Sequence, residues 1–444
     1  MKKQRIIVAG AGPAGTVTAL KLSQLGYSVT VIALPRPFSA CEGISERVLQ
    51  GLQNAGLHKA LATIAAPSRR NANWNGSNSE ANTERLIRRD LFDQALLQSL
   101  QETGIDVING RVNKVEVNVE RCVVSGKDTH NLPIQLEGDF FVEARGRSTP
   151  SGKQPRMRGP ETVSLLQHWQ GDPVTAQSMA TSFTDGWAWM AQFSDGSRYT
   201  QITVAADAKD FPSKSGLQEY FLKRLKQLPE ALPFYQGATP RGELVARSST
   251  AILTHNPIDD ASIRIGDAAL AVDPLSGNGI FQALSTALVA PAVINTILQK
   301  PHSKAIAQQF YRERVTHAFM RFARMGRDFY KMETRWPEQA FWQQRQTWPD
   351  QQPMHEPVVP QQVSVVERPV VKEDLIELED VVITPDQPLG IWHLAGIALA
   401  PIVKDLQTQP LVDNETLASR LRAKGFDGPR LQALTSWLSD QGIA

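Results

Sequence analysis

The sequence predicts an α/β protein: a parallel-sheet domain, a β-sheet inserted into it, and a small α+β module at the C-terminal end. Three observations carry this. A short β-branched run at 5–9 leads into a glycine-rich loop and then a helical pattern. From 153 to 239 the chain reads mainly as strands. From 346 to 371 prolines and glutamines break all periodicity, and strand and helix patterns resume beyond. The chain has 444 residues, 41% apolar and 21% charged, with a net charge of +2 and a mean hydropathy of −0.27. That is ample chain to bury a core and excludes wholesale disorder. The near-neutral charge argues against a protein whose main task is holding nucleic acid. Cys41 and Cys122 are the two cysteines, which excludes a disulfide framework. The eight histidines show no ligand spacing, so no metal is expected. No run of about 18 apolar residues is present, so no membrane span is expected, and the cysteine usage suits the cytoplasm.

The first element is the strand Arg5-Ile6-Ile7-Val8-Ala9, apolar throughout as a buried parallel strand is. Gly10-Ala11-Gly12-Pro13-Ala14-Gly15 follows, and a helix is expected over 16–25. A G-x-G-x-x-G loop between strand and helix is a dinucleotide fingerprint: Gly10 for the tight turn, Gly12 for close approach of a pyrophosphate, Gly15 for helix-to-strand packing. Lys2 and Lys3 ahead of an apolar run superficially resemble a signal peptide, but the glycines and Pro13 suit one poorly. A second strand at 28–32 closes the βαβ unit. The fingerprint expects an acidic residue after it, to hold the ribose hydroxyls. Ala33 stands there, and Arg36 is either a substitute contact or a solvated turn arginine.

A second glycine-bearing motif comes late. Residues 262–269 read as a strand ending at Gly266-Asp267, and Asp273-Pro274-Leu275-Ser276-Gly277-Asn278-Gly279 leads into a helix over 281–297. Glycines ahead of a helix make an anion-binding N-terminus. Together with residues 10–15 and the stretch Phe141-Val142-Glu143-Ala144-Arg145-Gly146-Arg147-Ser148, this order of motifs resembles the FAD-binding motifs of flavoprotein aromatic hydroxylases, flavin-dependent halogenases and geranylgeranyl-type reductases. Glu143 stands where that family usually has Asp. The resemblance implies a Rossmann-like FAD-binding domain (1–152 and 240–300) with an inserted β-sheet substrate domain (153–239). It implies noncovalent FAD, with residues 10–15 at the pyrophosphate, Asp267 at a ribityl hydroxyl and the loop 274–279 along the isoalloxazine. It also implies O2 as co-substrate, and NAD(P)H or a partner flavin reductase as reductant. Arg47 and Arg89 match family positions near the adenosine and phosphates.

In the middle, alternation over 112–124 and 132–142 predicts antiparallel strands. Further strands are expected at 161–170, 177–183, 187–193 and 199–205. Trp187 and Trp189, two apart, share a strand face. Gly186-Trp187-Ala188-Trp189-Met190-Ala191 resembles the Trp-x-Trp-x-Ile-Pro strand of flavin-dependent halogenases, which makes both tryptophans candidates for the substrate pocket. Halogenases carry a lysine ahead of the helix at 91, and here no lysine occurs between Lys59 and Lys114, which disfavours halogenation.

Residues 301–345 read as helical and rich in arginine and aromatics, 346–371 as linker, and 372–444 as a small winged-helix-like module. In that module a strand is expected at 375–383, a helix at 415–424 stopped by Gly425, and a second at 429–439 capped by Asp427. It carries 6 Lys+Arg against 11 Asp+Glu, the wrong sign for a DNA reader. The three-part layout, with Glu42-Gly43-Ile44-Ser45-Glu46-Arg47 and Arg335-Trp336-Pro337, resembles LodB- and GoxB-type flavoproteins of tryptophylquinone maturation. The expected function is then FAD-dependent hydroxylation of a tryptophan in a precursor protein. Small-molecule hydroxylation, halogenation, reduction and a non-catalytic flavin scaffold are the alternatives. General acid, general base and oligomeric state are left open.

Overall fold

The computed structural model describes residues 3–119, 121–150, 154–357, 359, 362–408 and 414–443. The expected domain boundary at 152/153 lies outside them, as does Pro360 of the linker. The chain divides into two compact units: residues 1–291 with 315–352, and residues 292–314 with 353–444.

The first unit is α/β. Its seven-stranded sheet runs Ser262–Arg264, Phe140–Glu143, Arg5–Ala9, Ser28–Ala33, Asp106–Val117, Cys122–Asp128, Pro133–Gly138. The first five strands are mutually parallel, in registers such as Ile6↔Val29 and Val8↔Val142. The last two continue antiparallel. Phe140–Glu143, expected as antiparallel, is therefore an interior parallel strand. Its four residues are all buried, the signature of a strand covered on both faces. The helix Pro13–Gln24 follows the first strand, starting three residues earlier than expected because Pro13 occupies its first turn.

The second sheet has eight strands: Thr239–Ser248, Thr162–Gln170, Ser197–Ala205, Gly186–Gln192, Gln177–Phe183, Pro67–Trp74, Ser77–Arg88, Cys41–Ile44. It takes in chain from 41–88 and 239–248 as well as the expected 153–239. The hairpin 67–88 joins by parallel pairing of Gln177 with Arg69 through Thr181 with Asn73. Its sequence, Ser-Arg-Arg-Asn-Ala-Asn-Trp, has no apolar alternation to announce a strand. One sheet face packs Leu165, Met190, Ile202 and Val204 against Phe221 and Leu225 of the helix Leu217–Lys226. The other presents Leu166, Trp189, Ala191 and Tyr199. The helix Gly279–Gln299 is long and apolar enough to cross a membrane, with a mean hydropathy of 1.6, but it is mostly buried within the protein.

In the second unit an antiparallel sheet, Ser364–Lys372, Leu375–Thr384 and Gln387–Ile391, accompanies helices Leu399–Thr408, Asn414–Ala423 and Gly428–Asp440. Val382, Leu399, Val403, Leu417, Leu421 and Leu434 form its core. Residues 364–371, expected as linker, are thus a strand. Pro369 is tolerated because the strand lies at the sheet edge. The helix Leu399–Thr408, not expected from the sequence, tolerates Pro401 because it falls in the first turn.

Candidate functional site

The first strand ends in a loop whose shape is set by contacts with its own neighbours. Gly10 has φ +109, and a Cβ there would stand 2.5 Å from the Ala144 carbonyl oxygen. Its N–H donates to Ile32 O at 2.8 Å. A Cβ on Gly15 would stand 2.0 Å from the Gly10 oxygen. Both positions are closed to any side chain. Gly12 is different: φ is −72, and a Cβ there would meet no protein atom within 4 Å. It borders open space at the mouth of the helix Pro13–Gln24, where Ala11 O accepts from the Thr16 hydroxyl at 3.1 Å.

The late motif is packed onto the early one. Gly266, φ +56, lies so near Ala14 that a Cβ would stand 3.0 Å from that methyl, and its N–H donates to Thr286 Oγ1 at 2.8 Å. Asp267 follows at the turn and pairs with Arg147 Nε at 3.3 Å. Burial pushes the Asp267 carboxyl up, with Arg147 opposing. Arg147 also donates to Thr250 O at 2.5 Å and Val272 O at 2.7 Å, tying the middle motif to the late one. Glu143 does not reach outward: Arg145 holds it through Nε at 2.9 Å and Nη2 at 2.5 Å. Asp273 Oδ1 accepts from Leu275 N at 2.9 Å and so caps the turn Pro274–Ser276. Gly277 then turns with φ +63, and a Cβ on Gly277 or Gly279 would again meet nothing within 4 Å. Asn278 folds back on Ser276 O and Met325 Sδ.

The residues fit FAD. Gly12, Gly277 and Gly279 leave room for a ligand where Gly10 and Gly15 leave none for a side chain. Backbone N–H groups at two helix starts suit phosphates and the polar edge of a flavin. Asp267 offers an acceptor for a hydroxyl.

The arginines separate. Arg89 is buried and pairs with Asp93 at 2.8 Å and with Glu42. Arg36 reaches the same Asp93 at 3.3 Å and lies over the Phe38 ring. They form one cluster around Asp93 that the sequence did not announce. Arg47 sits exposed in the first turn of Glu46–Asn54 and takes no part in those hydrogen bonds.

The roof is aromatic. Trp187, Tyr330, Phe341 and Trp342 make one buried cluster, joined by Trp74, Trp189, Trp336 and Leu275 of the late loop. Trp336 stacks on Trp342 at 5.7 Å and 25°, and Trp74 meets Trp342 edge-on at 5.7 Å. Trp189 is shared with the cluster of Leu166, Ala191 and Tyr199. The wall after the helix Lys304–Lys331 is clamped by buried Glu333. Its carboxylate accepts from Ser182 Oγ at 2.6 Å, Asn75 N at 2.9 Å and Arg335 Nε at 3.0 Å. Neither Trp74 nor Glu333 stood out in the sequence, since Trp342 for the one and Ser182 and Asn75 for the other lie more than a hundred residues away.

The tryptophan halogenase family profile matches residues 50–368. Tryptophan 2-halogenase of Chondromyces crocatus is 23% identical over 77% of this chain and 70% of its own length. Digeranylgeranylglycerophospholipid reductase 1 of Methanopyrus kandleri is 26% identical over 71% and 86%. Among solved structures, QhpG, a peptidyl tryptophan dihydroxylase essential for tryptophylquinone cofactor biogenesis, is similar over 100% of both chains, at 44% identity and TM-score 0.84. The flavin-dependent halogenase CmlS shares the fold at 19% identity and TM-score 0.79, over 100% of this chain and 96% of its own. The motif order, the site geometry and these matches agree: the chain belongs to the tryptophan halogenase family and is a flavin-dependent oxidoreductase.

Proposed function

We propose that this protein is an FAD-dependent monooxygenase that hydroxylates a tryptophan side chain presented by a precursor protein during tryptophylquinone cofactor biogenesis. The observation that carries the reading is the full-length likeness to QhpG, 44% identical over the whole of both chains. The halogenases are similar at about half that identity, and the stretch between Lys59 and Lys114 holds no lysine to carry an oxidised halide. O2 is the co-substrate, and electrons come from NAD(P)H or from a partner flavin reductase.

When bound, FAD supplies oxygen activation. The protein's part is to hold and orient. The loops at 10–15 and 274–279 would fix the cofactor, with Asp267 toward its ribityl chain. Trp187, expected in the substrate pocket, is instead buried beneath the roof, and half-buried Trp189 on the same sheet face is the tryptophan that offers aromatic surface to an indole. Arg36, half-buried, is the cation of this cluster offered to the adenosine end, while buried Arg89 holds Asp93 and Glu42 in place.

The test is to supply photoreduced FAD and oxygen to the purified protein with three substrates in turn: free tryptophan, a short tryptophan peptide and a full precursor polypeptide, each with bromide present. Mass spectrometry should find one or two added oxygen atoms on a tryptophan of the polypeptide, with little on free tryptophan. Bromination of free tryptophan in preference to oxygenation of any polypeptide would replace this reading with the halogenase one.

A further inference from the structure

The aromatic roof and the late glycine loop are joined by one continuous hydrogen-bonded line. Trp187 Nε1 donates to Tyr330 Oη at 3.1 Å, across 143 residues of sequence. The Tyr330 hydroxyl in turn faces both Asp273 oxygens at 3.2 Å, 57 residues away. The direction of this line is fixed by chemistry. An indole N–H can only donate, so the phenol oxygen is the acceptor and its single proton is left for the carboxylate. The carboxylate then accepts from Leu275 N at 2.9 Å, which sets the turn leading to Gly277. Leu275 itself packs against the Trp187 cluster.

The two aromatic members are buried, and Asp273 is half-buried. Trp187 is 3% exposed and Tyr330 2%. Tyr330 holds its ring by edge contacts with Phe341 at 6.0 Å and Trp342 at 5.9 Å, so the hydroxyl has little freedom. A small cavity behind the loop is lined by Asp273, Gly326, Arg327, Tyr330, Arg345 and Trp348. Arg345 is buried, and its guanidinium is taken up by the Thr162 hydroxyl and the Glu161 and Phe341 carbonyls rather than by an acid. It lines the same cavity as Asp273, and among the described residues no acid pairs with it.

We infer that Tyr330 is a positioning residue for the flavin site: by donating to Asp273 while accepting from Trp187, it fixes the loop 274–279 and couples that loop to the roof. The inference rests on the flavin reading above and not on the identity of the substrate. Burial pushes the Asp273 carboxyl above the usual range. Opposing this are the Leu275 N–H, the charges of Arg345 and Arg147, and the Tyr330 hydroxyl. These groups come from the late loop, the helix Ala340–Thr347, the middle motif and the helix Lys304–Lys331, whose Arg327 also lines the cavity but is held by Asp328 and Asp350.

The experiment follows the visible absorbance of bound flavin against pH in the full-length protein and in Asp273→Asn, Tyr330→Phe and Trp187→Phe. The wild type should show a titration that Asp273→Asn abolishes. Tyr330→Phe keeps the ring and removes one hydrogen bond to the ionised form, so the midpoint should rise by about one pH unit. Trp187→Phe should move it the same way by less, since it only weakens the donor. Tyr330→Phe with an unmoved midpoint, whatever its melting temperature, would reduce the residue to packing. Should that variant not fold, an unmoved Trp187→Phe removes the coupling to the roof. No titration in the wild type, or one that persists in Asp273→Asn, overturns the inference outright. Since the readout is the flavin spectrum, failure to hydroxylate a precursor would leave it standing.

Discussion

At the glycine loops the backbone decides the geometry. Gly10 and Gly15 are required because carbonyl oxygens of Ala144 and Gly10 occupy the places where their side chains would be. At the roof the left-handed turn Asn75-Gly76 is the one backbone feature that the Glu333 clamp uses, and side chains from four segments do most of the work: Trp74, Trp187, Tyr330 with Glu333, and Trp336 with Trp342. The difference teaches where function is readable. A loop that a ligand approaches through backbone must spell itself in glycine at fixed spacing. A pocket assembled from side chains leaves no such spelling.

The sharpest way to break the comparison lies within one loop. Gly10→Val places a branched side chain at φ +109 against the Ala144 carbonyl, which should cost about 3 kcal/mol or more and leave little folded protein. Gly12→Val has an ordinary φ and open space ahead of it. It should purify folded, with a melting temperature near wild type, and without the flavin absorbance. Flavin retained in Gly12→Val would mean that the open space belongs to something else. Equal stability of the two variants would mean that the loop is not held by Ala144.

The roof's counterpart is Glu333. Glu333→Ala strips the shared acceptor from Ser182, Asn75 and Arg335 and should destabilise by about 2–3 kcal/mol. The figure is modest for a buried carboxylate because Arg335, at 34% side-chain exposure, can turn to water. The clamp also has a pH signature. Burial raises the Glu333 carboxyl, but the hydrogen bonds from Arg335, Ser182 and Asn75 outweigh it and hold it below the ordinary value. A carboxyl depressed in the folded state contributes fully above its unfolded pKa, about 4.3 for Glu, and the contribution fades as pH falls below that. The stability gap between wild type and Glu333→Ala should therefore be constant from about pH 8 to 5 and narrow below about pH 4. A gap that widened on acidification would contradict the assignment.

The same contrast explains what the sequence allowed. The parallel strand at 5–9, the helix after it and the Gly266-Asp267 turn were legible because sterics and burial act on consecutive residues. That Ala14 packs on Gly266 was not, although both motifs were seen, because two matched surfaces carry no mutual label. Asp93 as the shared partner of Arg36 and Arg89 went unseen for the same reason. The hairpin 67–88 was missed because its neighbours, not its own apolar pattern, make it a strand. Pro369, counted with the linker, misled the other way, and Pro401 sits in a helix the sequence analysis did not propose. Proline is a breaker only where a backbone donor is needed, and an edge strand and a first helical turn do not need it.

The smallest expected effect tests this at the second unit. Asp427 stands at the N-cap of Gly428–Asp440, and an Asp there is ordinarily worth about 1 kcal/mol through its side-chain bond to the second or third helical N–H. In the structure the residue holds the cap position, with φ −140 and ψ 173, but its side chain makes no capping hydrogen bond. The helix is begun instead by backbone, Leu431 N donating to Asp427 O at 3.1 Å, and it is held by Leu434 and Leu438, both buried. Asp427→Ala keeps that backbone bond and that packing. Urea unfolding of the second unit should register a loss of only a few tenths of a kcal/mol, what remains being the interaction of the acid with the helix dipole. A loss near 1 kcal/mol would show that the side chain caps the helix after all, and that here the local sequence rule outranks the observed geometry.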